Sequence, residues 1–434
     1  MSESILSDAL AAPAFISPRR AGERLWRQLA WRRLQDLQQG RITLIDAEGS
    51  QSFGQTAAEA TLQATVYIYD PKVYTRLALR GHIGAGEGYM AGEWSCDDLT
   101  TLIRIMLLNQ DVMNGLERGL ARLAMPLFRF GQALRRNTRR GSRANIAAHY
   151  DLGNDFYRLF LDETLMYSCA IFPTAGSSLE EASIAKLERI CHKLQLGPQD
   201  HLLEIGAGWG GFALHAAARH GCRVTTTTIS RRQYELARER VRRAGLEARV
   251  TVLLKDYREL EGCYDKLVSI EMIEAVGHSY LPTYLRQCSR LLKPDGMLLL
   301  QAITIADQEY ERARRAVDFI QHYIFPGGCL PSTTAIIGTV SRVTDLRLFH
   351  FEDIGAHYAL TLRHWRQRFL SQLQQVKAQG FSDAFIRLWE FYLCYCEGGF
   401  RERSISAVQM LFTKPLCRRD PLLPEPDLSV SRAA

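Results

Sequence analysis

The sequence predicts an α/β protein, a mostly parallel sheet flanked by helices and preceded by a small α+β unit. Three observations carry that prediction. From about residue 198 onward, short apolar or β-branched runs alternate with amphipathic helical runs, the pattern of repeated strand–helix–strand units. The first of those strands runs straight into a glycine-rich turn, Gly206-Ala207-Gly208-Trp209-Gly210-Gly211. Between residues 41 and 95 the runs are instead short, β-rich and punctuated by Gly, Asp and Pro, with helical patterns on either side.

In chain order, residues 1–20 read as a flexible leader. Its arginines follow the apolar stretch, so no secretory signal is expected. Residues 21–40 have a helical period, with Leu25, Ala30, Leu34 and Leu37 near one face and Gly40 as the stop. RITLIDAEG (41–49), ATVYIYD (64–70) and TRLALRG (75–81) read as short β-rich runs, and helical patterns return from Asp97 to about Met125. An N-terminal α+β domain is therefore expected over 21–125, with a basic connector over 126–145. Further on, HLLEIGAG, CRVTTTTIS, ARVTVLLKD, YDKLVSIEM and GMLLLQAIT read as successive strands. RRQYELARERVRRAG is a charged amphipathic helix closed by Gly245. Its arginines (231, 232, 238, 240, 242, 243) are expected on a solvated face, partly paired with Glu235 and Glu239. Residues 305–345 interrupt the alternation and are too long for a simple connection, which predicts a lid or substrate-binding insert. LRLFHFED and VQMLFTK supply two last strands. The catalytic domain then spans 146–415, and 416–434 is a loose tail.

Composition sets outer bounds. A chain of 434 residues, 47% hydrophobic and 23% charged, is neither disordered, nor collagen-like, nor a coiled-coil rod. The ten cysteines are scattered, no Cys-x-x-Cys occurs, and Cys394 and Cys396 sit too close together for zinc-ligand spacing. Reduced cytosolic thiols and no metal site are expected. The longest uncharged run, Phe319–Ser341, contains Pro326 and Pro331, so no membrane span is expected. The net charge of +7 is concentrated: arginines 129, 135, 136, 139, 140 and 143 occur with no acid among them. Such a patch suits phosphate, on a lipid surface or on nucleic acid. RNA readers place stacking aromatics beside their basic residues, and only Phe130 lies in this stretch, so nucleic acid ranks last.

The glycine turn carries chemistry. Leu203-Glu204-Ile205-Gly206-Ala207-Gly208-Trp209-Gly210-Gly211 fits both the G-x-G-x-G of S-adenosylmethionine enzymes and the G-x-G-x-x-G of dinucleotide sites. A dinucleotide site wants an acid at the end of the next strand to hold the ribose. Here that strand ends Thr225–Thr228, Ile229, Ser230, with no acid before Glu235, which counts against NAD. Glu204 and the pair Asp256-Tyr257 become the natural amino-acid and adenine contacts.

Upstream lies a second dense motif, His149-Tyr150-Asp151-Leu152-Gly153-Asn154-Asp155-Phe156-Tyr157, followed by Met166-Tyr167-Ser168-Cys169-Ala170. Together with LEIGAGWGG, Thr228-Ile229-Ser230 with Gln233, EMIEAVG (271–277) and YIFPGGCLPS (323–332), it resembles the cyclopropane-fatty-acyl-phospholipid synthase family over roughly 140–415. The mycolic acid cyclopropane synthases share that core. The resemblance implies a Rossmann-like class I methyltransferase domain that binds S-adenosylmethionine. It implies transfer of the methyl group to the double bond of an unsaturated acyl chain on a phospholipid, with a cyclopropane ring closing after deprotonation.

Carried over motif by motif, the cofactor contacts are Tyr167, Ser168, Glu204, Gly206, Ala207, Gly208, Trp209, Gly210, Thr228, Ile229, Ser230, Gln233, Asp256 and Tyr257. The family also holds a bicarbonate ion near the reacting carbons. Its ligands map to Cys169, Glu274, Ile303, Tyr358 and the position of Gln301, and a functional cysteine maps to Cys396. For buried cysteines a place in the core is the commoner fate. An alkene is a poor nucleophile, so the methyl must be held in line with it. The resulting cation needs a dry pocket, aromatic faces such as Tyr323, Phe325 and Tyr358, and a base to take a proton. Two departures stand out. Ala207 replaces the usual cysteine at little cost. Gln301 stands where many members place histidine, and glutamine cannot carry charge. An altered base there would give a methyl-branched or methylene chain instead of a ring. A soluble small-molecule substrate is the other alternative. The implied partner is an anionic phospholipid bilayer, with a homodimer as the candidate assembly, and the implied location is cytoplasmic, on the inner face of the membrane.

Overall fold

The computed structural model describes residues 14–18, 21–112, 141, 152–420 and 422, and contains two sheets. The basic stretch at 129–143, apart from Gly141, and His149, Tyr150 and Asp151 lie outside the described residues. The N-terminal unit comprises helix α1 (Ala21–Leu34), strands β1 (Arg41–Asp46), β2 (Gly49–Gly54) and β3 (Gln63–Ile68), helix α2 (Lys72–Met90), strand β4 (Trp94–Cys96) and helix α3 (Leu99–Leu108). Its sheet has the order β2-β1-β3-β4, with β1 antiparallel to β2 and parallel to β3. In β1 the side chains of Ile42 and Leu44 are buried and their neighbours half-buried, the period of two expected of a one-sided strand.

Two expectations for this unit are corrected. Residues 75–81 form no strand: they lie in α2, where Val73, Tyr74 and Leu77 at helical spacing outweigh a short β-rich composition. The helix bends at Gly81, whose φ of 56° and ψ of −138° interrupt it. Leu25 is 52% exposed, whereas Ala30, Leu34 and Leu37 are buried. Five residues before Ala30 is about 140° around a helix, off the buried face.

The second sheet has the order β10-β11-β9-β8-β5-β6-β7. Its strands are β5 (His201–Ile205), β6 (Arg223–Thr228), β7 (Val250–Leu254), β8 (Tyr264–Ile270), β9 (Leu292–Ile305), β10 (Arg347–Asp353) and β11 (Ile405–Thr413). The first five are mutually parallel, while β11 and β10 add antiparallel at one edge. All seven match sequence runs read as strands. The helices are α4 (Asn154–Arg158), α5 (Leu179–Leu194), α6 (Gly211–His220), α7 (Arg231–Arg243), α8 (Leu281–Arg290), α9 (Asp307–Ala313), α10 (Phe319–Tyr323), α11 (Thr333–Val343), α12 (Gly355–Ser371), α13 (Leu373–Ala378) and α14 (Asp383–Arg401). The class is thus α/β with a mostly parallel sheet. The insert between β9 and β10 is the helical run α9–α11.

Helix α14 joins the two units, packing on α12 on one side and on α2 and α3 on the other. A Cβ on Gly398 would lie 2.6 Å from Ile103, so only glycine permits the approach of α3. The insert docks on the same N-terminal surface. Phe319 fills the space beside Gly86, and the Tyr323 hydroxyl donates to Glu87 Oε1 at 2.6 Å.

Among the arginines of α7, the expected pairs Arg231–Glu235 and Arg243–Glu239 form loosely at 3.7 and 3.9 Å. Arg240 is an exception to the solvated face. Its guanidinium turns inward and donates to the carbonyls of Thr164 (3.1 Å), Trp209 (2.9 Å) and Glu163 (3.0 Å), tying α7 to the glycine loop.

Candidate active site

The carboxyl ends of β5, β6, β7 and β8 open into one cavity of about 800 Å3, where parallel α/β sheets bind their ligands. The glycine loop forms one wall. Gly206 has φ +102°, a conformation open to glycine, and the backbone N–H groups of Gly206 and Ala207 both bond to the Thr227 carbonyl, turning the chain sharply under the cleft. Trp209 donates its Nε1–H to Asn154 Oδ1 at 2.8 Å and lies against Tyr157, which joins the upstream motif to this loop.

Of the expected cofactor residues, Tyr167, Ser168, Glu204, Gly206, Ala207, Gly208, Trp209, Thr228, Ile229, Gln233, Asp256 and Tyr257 border the cavity. Gly210 and Ser230 are not among its lining residues. Gly210 packs against Ala237 beneath the loop, and Ser230 caps α7 by accepting the Gln233 N–H. Asp256 combines two roles, since it borders the cleft while its carboxylate accepts from the Arg258 backbone and side chain (2.9 and 2.8 Å). Glu204 is pushed up to about 8 by burial, against the pull of the Thr226 hydroxyl at 2.5 Å.

Of the residues expected around the reacting carbons, Glu274, Ile303, Tyr358 and Cys396 line the opposite wall and Gln301 and Cys169 lie buried behind it, and one further acid of that wall was not singled out from the sequence. Glu271 follows directly on β8 with φ +49°, in the left-handed region. Its Oε1 accepts the Cys169 backbone N–H (2.8 Å) and the Gln301 side-chain amide (2.8 Å), and its Oε2 accepts the Tyr358 hydroxyl (2.6 Å). Burial raises its pKa, while these three donors pull the other way. Glu274 Oε1 accepts the Ile303 N–H at 2.6 Å, and its Oε2 has no hydrogen-bond partner among the described residues. Burial, then the charge of Glu271, pushes Glu274 up to about 8. Near neutrality Glu274 is therefore protonated, while Glu271 is the acid that collects the three donors.

Cys169 takes part through its backbone. Its thiol is fully buried in the core, pointing at the Ala170 and Ile354 carbonyls, and burial pushes its pKa well up. Cys396, on α14, does line the cavity, and burial raises its thiol as well, so it is an uncharged wall group.

Two supports lie further back. Lys186, on the buried face of α5, donates to Ser168 Oγ at 2.9 Å and is pulled down to about 8 by burial, against the raising charge of Glu271. Two lysines, Lys186 and Lys193, on the buried face of a helix with Leu179, Ala182, Leu187 and Ile190 were the available sequence signal. The second support orients Gln301. Lys193 Nζ donates to Gln409 Oε1 (2.7 Å), so Gln409 Nε2 donates to Gln301 Oε1 (2.9 Å), which turns the Gln301 amide nitrogen toward Glu271. Gln301 and Gln409 are fully buried register partners on β9 and β11. Gln409→Met leaves both Lys193 and the Gln301 oxygen short of a partner, a loss of about 1–3 kcal/mol. A melting temperature equal to wild type would show that the chain carries no such load.

The chain matches the family model for mycolic acid cyclopropane synthetase over residues 137–410. The chain belongs to that family. It is an S-adenosylmethionine-dependent methyltransferase. A Mycobacterium tuberculosis protein named tuberculostearic acid methyltransferase is 40% identical over 376 residues, covering 85% of this chain and 86% of its own. The Escherichia coli cyclopropane-fatty-acyl-phospholipid synthase is 37% identical over 361 residues, covering 82% and 90%. A crystal structure of the mycolic acid cyclopropane synthase CmaA1 complexed with SAH and CTAB superposes with a TM-score of 0.59 at 33% identity, over 63% of this chain and 98% of that one.

The family site has a pH signature. Glu274 binds its proton up to about 8 in the folded protein but only up to about 4.5 when unfolded, so between those values the folded state holds more protons. Its contribution is complete below about 4.5 and is lost as pH rises through about 8. Glu274→Gln removes this dependence, and the variant gains melting temperature relative to wild type as pH increases across that window. Parallel melting curves for both proteins from pH 5 to about 8.5 would contradict the assignment.

Proposed function

We propose that this family member methylates the double bond of an unsaturated acyl chain in a phospholipid, with Glu271 as the proton acceptor, and releases a methylene-branched chain. The observation that carries the reading is the hydrogen bonding of Glu271. Of the five residues that the family resemblance assigned to bicarbonate, three converge on this carboxylate, Cys169 through its N–H, Gln301 through its amide and Tyr358 through its hydroxyl, while the Ile303 N–H goes to Glu274. A carboxylate and a bicarbonate offer the same pair of oxygens. A second anion here would meet donors already committed to Glu271, so in this reading the carboxylate stands in for bicarbonate.

S-adenosylmethionine, when bound, supplies an electrophilic methyl group. Gly206, Gly208 and Thr228 shape the side of the cleft that would hold it, and Tyr358 and Phe325 present aromatic faces to the reacting chain. Those walls exclude water from the cation formed when the new carbon–carbon bond leaves the neighbouring carbon short of an electron pair. A 1,2-hydride shift converts this secondary cation into a tertiary one. Loss of a proton from the new methyl group to Glu271 then leaves a methylene. Ring closure needs that proton removed before the shift. Glu271 is held on both oxygens by three donors, which fixes its position so that it cannot follow the new methyl group, and this favours the shift. The 40% identical relative named for tuberculostearic acid supports a product other than a ring, and the Escherichia coli relative supports the phospholipid. The arginines of 129–143 are the proposed contact with an anionic bilayer, and no described helix is long and apolar enough to cross one.

The test is product analysis. Purified protein, methyl-labelled cofactor and dioleoyl phosphatidylglycerol are expected to yield an acyl chain one CH2 heavier that retains one unsaturation, unchanged by bicarbonate. A saturated ring product would return the reading to cyclopropane synthesis, and no lipid product would remove it.

A further inference from the structure

The cavity does not end at the reacting centre. It continues past Phe391, Tyr395 and Gly399 of α14 into the interior of the N-terminal unit. There it is lined by Leu34 of α1, Leu44 of β1, Val66 of β3, Leu77 of α2, and Leu102 and Met106 of α3. The interior between a sheet and its covering helices is normally close-packed, with few voids larger than a water molecule. Open apolar space leaves the lining side chains without contacts, stays dry and takes up apolar molecules. Two polar groups on its wall are committed to the protein: the Tyr74 hydroxyl donates to Asp46 (3.0 Å), and Trp94 Nε1 donates to the Ala85 carbonyl (2.9 Å). An aliphatic chain suits such a predominantly apolar wall.

The two lobes are held in line. Ile103 seats against Gly398, Phe319 seats against Gly86, and the Tyr89 hydroxyl donates to Glu390, so α14 and the insert are keyed to the N-terminal helices. The family match begins at residue 137, so the residues lining this lobe lie outside the shared catalytic core.

We propose that the N-terminal lobe is an aliphatic-chain subsite of the active site, through which the N-terminal unit selects lipids by chain length. The subsite rests on the acyl substrate of the proposed function. Its occupant is an alkyl segment, either the part of the methylated chain beyond its double bond or the sister chain of the same lipid.

The test uses the full-length protein and two series of mixed-chain phosphatidylglycerols. One varies the unsaturated chain beyond its double bond, and the other varies the saturated chain from myristoyl to stearoyl. Met106→Trp narrows the lobe and Met106→Ala widens it, with thermal melting to confirm that both fold. Met106→Trp is expected to lower turnover on the longest chains about tenfold relative to the shortest, the scale of a few methylenes in an apolar pocket. Met106→Ala is expected to shift the preference the opposite way, and both should keep wild-type affinity for S-adenosylmethionine. The series that responds identifies the occupant. Palmitate binding by calorimetry gives a readout independent of turnover, and Met106→Trp should weaken it by a similar factor. If both variants keep the wild-type length profile and palmitate affinity, the subsite is refuted while the methyl transfer stands. If wild type methylates no unsaturated phospholipid, the proposed function falls, and palmitate binding that is absent or insensitive to Met106→Trp refutes the lobe as well.

Discussion

Glu271→Gln should lower methyl-transfer turnover by about 10²- to 10⁴-fold while leaving S-adenosylmethionine affinity near wild type, because the amide keeps the shape of the carboxylate but cannot accept the proton. Glu271→Gly is the more informative variant. The backbone there has φ +49°, which glycine adopts without strain, so the fold should survive. Removing the side chain frees the Cys169 N–H, the Gln301 amide and the Tyr358 hydroxyl, three donors pointing into one vacated space. Added bicarbonate should then restore turnover in a concentration-dependent way, and cyclopropane should appear among the products because a free anion can follow the methyl group. Undiminished turnover in Glu271→Gln would place the base elsewhere. Absence of rescue in a folded Glu271→Gly protein would show that the three donors do not form an anion cradle.

The next largest effect is expected at the glycine loop. At Gly206 the φ of +102° is closed to β-branched residues, and a Cβ would sit 3.2 Å from Met272. Gly206→Val should therefore weaken S-adenosylmethionine binding by at least about 100-fold, roughly 2.7 kcal/mol. Gly208→Val should cost less, since a Cβ there meets nothing within 4 Å and only its φ of +50° is strained. Calorimetry on proteins with native circular dichroism checks both, and unchanged affinity in Gly206→Val would move the cofactor out of this cleft.

Lys186 and Arg240 show how the same residue type escapes a reading based on composition. Each lies on an amphipathic helix where a cation is normally solvated. Lys186 falls on the inner face of α5, beneath Ser168, and Arg240 finds three carbonyls from segments more than 30 residues away. In the N-terminal unit, the short run at 75–81 was too brief to separate strand from helix, and the helix is settled by burial of Val73 and Tyr74 against the sheet.

By itself the sequence determined the strand–helix alternation, the glycine loop at the end of β5, the missing acid that counts against a dinucleotide, and the motifs of the family core. Each of these depends on residues within a few positions of one another, where periodicity, turn chemistry and spacing act directly. The tertiary structure alone decided which of two acids three residues apart takes the anion's donors. Glu271 and Glu274 are equivalent in composition, and they differ because residues 169, 301 and 358 reach the first and the Ile303 N–H reaches the second. The orientation of Gln301 was likewise out of reach, since it is set by Lys193 through Gln409 across a strand pair more than 100 residues apart. The lobe in the N-terminal unit has the same origin: apolar residues at core spacing look alike whether the space between them is filled or open, and only the packing of one layer on another decides which.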